Sequence, residues 1–294
     1  MDALKANWVK VAGVILLTIV VAFITVKLAV TKPQSQTTTV YDKVIKSGTL
    51  RACYAAYAPQ FIKDPNTSKL SGVFFDVVSK AAENMSLKID WNAEITRGEM
   101  AEALNSGRCD IVGSGFYATS ARARAAELSI PVFYNPVYVY VRANDSRFDS
   151  DFKIANDKQY TVATVDGQSS QTIAINQFPN AKTLELPQAS DASQLLLNVA
   201  DGKADMTFSE PALANLYMKN NPGKIKEVSF GKPVQVYGNS VAIKKGEFAL
   251  TSALNGAILE LFNNGYVESV LTRYEKEYPG DYYRVALPYS TPAK

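Results

Sequence analysis

TLRACY (Thr49–Tyr54), VFFDVVSKAAENM (Val73–Met85), LKIDW (Leu87–Trp91), GEMAEALNSG (Gly98–Gly107) and DIVGSG (Asp110–Gly115) alternate β-rich runs with helical patterns. Short strands separated by helices of this length form βαβ units, whose right-handed crossovers build a parallel sheet with helices on its faces. A second series starts at TVATV (Thr161–Val165). It continues through the helical SSQTIAINQF, the strand TLEL, the helical DASQLLLNVADG and the strand ADMTFS. The two series end alike, in ALNSGRCDIVGSG from Ala103 and NVADGKADMTFSE from Asn198. In each, a glycine (Gly107, Gly202) can adopt the left-handed conformation that stops a helix, and an aspartate (Asp110, Asp205) opens the strand that follows.

Two β-branched and aromatic runs lie between and after these series: NPVYVYVR (Asn135–Arg142) and VQVYGNSVAIKKG (Val234–Gly246). Read as extended strands that cross between lobes, they form a two-strand hinge, and the last segment, from Leu250 to Tyr278, returns as helices on the first lobe. The expected fold class is α/β: two α/β lobes, 42–138 with 238–294 and 139–237, whose strand ends face one another across a ligand cleft.

Ahead of this body, VAGVILLTIVVAFITV (Val11–Val26) is apolar and uncharged, and Lys5 and Lys10 precede it. With its flanks the run comes close to bilayer length. No small-x-small cleavage site follows and Lys27 stands where one would be wanted, so residues 1–32 are read as an uncleaved anchor, with a cleaved signal peptide as the alternative. Residues 33–41, polar and without periodicity, read as a linker. Either form exports the body.

Composition narrows the chemistry. The chain has 294 residues, 47% of them apolar, and a formal net charge of +3 with its cations scattered, so no nucleic-acid footprint is expected. Histidine is absent and only two cysteines are present, which disfavours metal hydrolysis and Ser-His-Asp catalysis. No cofactor or metal is expected. Cys53 and Cys109 fall in or beside two strands of one lobe; buried free thiols are expected there, a bridge being conceivable.

The stretches SGTLRACYAAYAPQF, KLSGVFFDVVSKAAENM, EALNSGRCDIVGSGFYATSARARAAELSIPVFY and LLLNVADGKADMTFSEP resemble amino-acid-type periplasmic solute-binding proteins, family 3, of ABC transporters. The resemblance runs from about Asp42 to Tyr278 and implies the type II periplasmic-binding fold. In Asp110–Arg122 the family's Thr-x-x-Arg element implies that Arg122 grips a ligand carboxylate, a role suited to a planar guanidinium fork. Gly115 and Tyr117 match positions that offer backbone groups and a hydroxyl; Tyr117 stands where Ser or Thr is commoner. Phe116 between them is a pocket wall or a core residue. Glu210 takes the place of the family's acidic contact to the ligand ammonium. Gly167 and Ser169 match a turn before a lobe-two helix, whose free N–H groups attract a carboxylate. Tyr57 matches an aromatic that stacks on the ligand. Tyr54 replaces an Asp found in relatives that select cationic side chains, which implies a neutral or apolar ligand.

The resemblance thus implies a membrane-tethered binding protein that closes on a small zwitterion, an amino acid, and does no covalent chemistry on it. Its implied partner is an ABC permease in the cytoplasmic membrane, and its place is the periplasm or extracytoplasmic face. Two alternatives use the same fold: an enzyme resembling cyclohexadienyl dehydratases with Glu210 as the acid, and an envelope ligand-sensing domain without a transport role.

Overall fold

The computed structural model describes residues 38–286, together with 16–18 and 20–22. The chain divides into two compact units, Met1–Thr39 and Val40–Lys294. The expected apolar anchor lies largely outside the described residues; Leu16–Thr18 and Val20–Ala22 are helical. Among the described residues no helix is long and apolar enough to cross a membrane.

The second unit opens with α1 (Val40–Ser47), which takes up the last two residues read as linker. It continues through β1 (Thr49–Tyr54), a small hairpin of β2 (Ile62–Lys63) and β3 (Leu70–Ser71), α2 (Val73–Asn84), β4 (Lys88–Glu94) and α3 (Met100–Asn105). Next come β5 (Ile111–Tyr117), α4 (Ser120–Ala125), β6 (Ala126–Leu128) and the long β7 (Phe133–Arg142). The second lobe contributes β8 (Thr161–Val165), α5 (Ser169–Gln177), β9 (Lys182–Leu186), α6 (Ser193–Ala200), β10 (Met206–Ser209), α7 (Pro211–Asn220) and β11 (Ile225–Glu227). The chain returns through β12 (Gln235–Lys244), α8 (Phe248–Asn263) and α9 (Tyr266–Glu277).

The strands run in the order β4-β1-β5-β12-β7-β10-β8-β9, with β6 on β12 and β11 on β7. The β1–β4, β1–β5, β8–β9 and β8–β10 pairs are parallel. Each βαβ crossover therefore places its helix over a sheet face, and apolar residues at helical spacing bury it: Val73, Phe74, Val77, Val78, Ala81 and Ala82 in α2 are all below the surface. Helices α8 and α9 add Leu250, Leu254, Ile258, Leu261, Val270 and Leu271 to the same core.

The crossing is made by β7 and β12. Residues Phe133–Val137 of β7 pair antiparallel with β12, whereas Tyr138–Val141 pair with β10 of the second lobe. One continuous strand thus belongs to both lobes. A buried amide pair fastens it to its neighbour, Asn239 Nδ2 donating to Asn135 Oδ1 at 2.6 Å, with Gln60 Nε2 on the same oxygen at 3.2 Å.

The repeated Gly-x-x-Asp endings do the same work in both lobes. Gly107 and Gly202 sit at φ 73° and 76°, where a side chain would be strained. The Asp110 carboxylate accepts the Arg51 backbone N–H at 2.9 Å, and Asp205 accepts the Thr161 N–H at 2.8 Å. Each aspartate thereby registers its own strand against the first strand of its lobe.

The expectation of free thiols is overturned: Cys53 and Cys109 form a disulfide, with Cα atoms 5.6 Å apart. The reason is strand order. Because β5 lies beside β1, with Cys53 opposite Val112, Cys109, two residues before β5, falls within bridging reach.

Candidate functional site

Where the two sets of strand ends meet, a cavity of about 50 Å³ is enclosed. The first lobe lines it with Tyr57, Arg97, Tyr117 and Arg122; the second supplies Gln168, Ser169 and Ser170 from the start of α5, with Glu210 at the start of α7. An outer cleft of about 250 Å³ lies beyond Tyr57 and Arg97.

Arg122 is placed by the turn that follows β5. Thr119 caps the short helix α4 by accepting the Arg122 N–H at 3.3 Å, and the Arg122 guanidinium returns to donate to the Tyr117 carbonyl at 3.2 Å. No carboxylate pairs with it among the described residues. Burial, together with the neighbouring Arg97 cation, lowers its pKa to about 10. An anion delivered to this position would relieve both effects.

Glu210 joins the lobes. The Tyr57 hydroxyl donates to Glu210 Oε2 at 2.6 Å, and the Tyr117 hydroxyl donates to Oε1. Burial, then the Glu210 charge, pushes both phenols well above their usual pKa, so they stay neutral donors. Pro211 at the first position of α7 fixes the helix entry that presents the carboxylate. Tyr117 is held flat on Tyr237 with ring centres 4.5 Å apart. Its hydroxyl therefore reaches across the cleft to Glu210.

Three of the other sequence candidates support the cavity without lining it. Phe116 is fully buried, with the Arg97 and Arg122 guanidiniums 5.0 and 5.4 Å from its ring centre. Gly115 leaves no room for a side chain: a Cβ would fall 2.5 Å from both Gln60 Oε1 and the Phe74 ring. Tyr54 is turned into the first lobe, stacked on Phe61 at 4.7 Å and edge-on to Trp91. It does not line the cavity, so its identity carries no information about the ligand side chain there. Ser169 lines the cavity directly, while Gly167, at φ 67°, makes the preceding turn.

Arg97 escaped the sequence reading. It stacks on Tyr57 with the guanidinium carbon 5.0 Å from the ring centre and donates to the Gly115 carbonyl at 2.7 Å. Its Nη1 is buried without a partner. A signal was present in Thr96-Arg-Gly-Glu99, a capping-box pattern realised here by Glu99 accepting the Thr96 N–H at 2.6 Å. Arg97 stands in the first turn of this short helical segment, where a cation opposes the helix dipole.

Comparison with known proteins agrees with this architecture. Residues 50–277 match the model of the bacterial extracellular solute-binding proteins, family 3. The L-cystine-binding protein TcyA of Bacillus subtilis (strain 168) is 23% identical over 222 residues, 74% of this chain and 77% of that protein. A probable histidine-binding protein of Neisseria gonorrhoeae is 22% identical, covering 76% of this chain and 81% of its own. Among solved structures, the ancestral amino acid-binding protein AncCDT-1, described as a precursor of cyclohexadienyl dehydratase, superposes with a TM-score of 0.68 at 23% identity. That match covers 80% of this chain and 99% of the ancestral one.

Proposed function

The chain belongs to family 3 of the bacterial extracellular solute-binding proteins, and from that premise we propose that it is a receptor that captures an amino acid by closing its cleft and hands it to an ABC permease. The support is one arrangement: Arg122 from the first lobe and Glu210 from the second line the same enclosed cavity. A cation and an anion on opposite lobes match the two charged ends of an α-amino acid, and only the closed cleft offers both. Binding then favours closure by the difference in affinity between the closed and open forms.

Binding without chemistry fits Glu210 best. Each of its oxygens already accepts a phenol hydrogen bond, which holds the carboxylate as an acceptor towards the cavity, where a ligand ammonium can donate to it. In this reading the apolar segment Val11–Val26 holds the receptor at the outer face of the cytoplasmic membrane, or leaves it free in the periplasm if it is cleaved. The Cys53–Cys109 bridge suits that oxidising side.

The test is calorimetry and thermal melting of the full chain in mild detergent against the twenty amino acids and small organic acids. A ligand at 100 times its dissociation constant adds about 2.7 kcal/mol to apparent stability. Small-angle scattering should show a smaller radius of gyration when it binds. Conversion of the ligand to a product, or binding confined to molecules without an ammonium group, contradicts the proposal.

A further inference from the structure

Arg97 and Arg122 make the cavity more positive than capture of a simple zwitterion requires. Its charged lining consists of two guanidiniums and one carboxylate, so a ligand with balanced charges leaves one cation uncompensated. Both arginines lie on the ring of Phe116, 5.0 and 5.4 Å from its centre, so their guanidinium carbons are separated by no more than those two distances together. Neither forms an ion pair among the described residues.

Arg97 has the features of a waiting anion contact. A guanidinium whose only task was structural would turn its donors to a carboxylate or to several carbonyls. Here Nη2 reaches one carbonyl, that of Gly115, and the buried Nη1 reaches nothing. Leaving a buried charged donor unpaired is costly. The stacking on Tyr57 and Phe116 fixes the plane of the fork, so it is oriented before any ligand arrives. Two acids approach from the outer cleft. Glu94 is paired with Lys63 at 2.6 Å, and the exposed Asp191 accepts the backbone N–H of Ser193 at 2.8 Å. Neither bonds to Arg97.

We infer that the site is specific for an α-amino acid carrying a second carboxylate, with Arg122 gripping one carboxylate, Arg97 the other and Glu210 the ammonium. This rests on the receptor reading above and adds the class of side chain. Both arginines line the one cavity, so a ligand with a carboxylate at each end can set one against each guanidinium. The ligand's net negative charge cancels the excess positive charge of the lining. The expectation of a neutral or apolar side chain relied on Tyr54, which lies outside the cavity.

The experiment is a calorimetric comparison of L-glutamate, L-aspartate, L-glutamine, L-asparagine and L-lysine on the full chain, for the natural protein, Arg97→Gln and Arg97→Lys. The natural protein should bind at least one acid ten or more times more tightly than its amide, with lysine weaker still. Arg97→Gln should collapse that ratio towards one by weakening the acid alone, and Arg97→Lys should restore part of it. Equal or tighter binding of amides or lysine by the natural protein overturns the inference and leaves the receptor reading intact. So does an unchanged acid-to-amide ratio in a folded Arg97→Gln. If no amino acid binds at all, the receptor reading fails and takes this inference with it. Should Arg97→Gln not fold, the ratio measured on the natural protein decides.

Discussion

Tyr57 and Glu210, 153 positions apart in the chain and on opposite lobes, meet in a 2.6 Å hydrogen bond at the inner end of the cleft. Tyr117 donates to the other oxygen of the same carboxylate. The carboxylate proposed to receive the ligand ammonium is therefore also a point at which the lobes touch. Orientation of Glu210 and closure of the cleft become one event.

Tyr57→Phe keeps the ring beneath Arg97 and removes one donor to Glu210. A hydrogen bond to a charged group contributes about 1.5–3 kcal/mol. Ligand affinity should fall roughly ten- to a hundredfold by calorimetry, with little change in the unfolding temperature of the ligand-free protein.

The Cys53–Cys109 bridge closes a loop across a sequence separation of 56. Replacing both cysteines by serine should cost about 2–4 kcal/mol in a denaturant titration. Reductant should lower the natural protein to the same level and leave the double variant unchanged.

Asp145 should shape the acid limb of stability. Hydrogen bonds from Arg147, outweighing its burial, hold its pKa below the usual carboxylate range, and Arg142 adds to the effect. A folded-state pKa below the unfolded one stabilises fully above the unfolded value, about 4, and is lost as pH falls through the folded value. Asp145→Asn should therefore destabilise at neutral pH, and the difference from the natural protein should shrink below about pH 4. Melts at stepped pH read this directly.

The chain after α9 makes a third link between the lobes. Pro279 accepts the Asn215 side chain at 3.0 Å, and a Cβ on Gly280 would lie 2.9 Å from the Ala212 backbone nitrogen. Since backbone cannot yield as a side-chain tip can, Gly280→Val should lift this segment from α7. Hydrogen exchange should rise across Pro279–Tyr283, while the strands of both lobes keep their protection.

Much of this architecture was legible in advance, because hydrophobic periodicity and glycine-aspartate punctuation act locally. The turns at Gly107 and Gly202 and the double crossing by β7 and β12 follow from such local signals. Strand order is not local. The sequence around Cys53 and Cys109 does not say that β1 and β5 are neighbours, so the disulfide was missed. At the site, Arg122 stands within a motif that marks it as a candidate, whereas Arg97 opens a single helical turn whose capping box, Thr96 and Glu99, says nothing of a ligand. Tyr54 was misplaced because a strand-end residue can point to the cleft or to the core, and its packing on Phe61 and Trp91 decided the matter.

The most direct measurement is calorimetric titration of Arg122→Ala and Arg122→Lys with whichever amino acid the natural chain binds. The alanine variant should lose at least a hundredfold in affinity while melting close to the natural protein without ligand, and lysine should recover only part, having a charge but no fork. Undiminished binding by Arg122→Ala would show that the carboxylate is held elsewhere and that the two lobes do not grip their ligand in the way described.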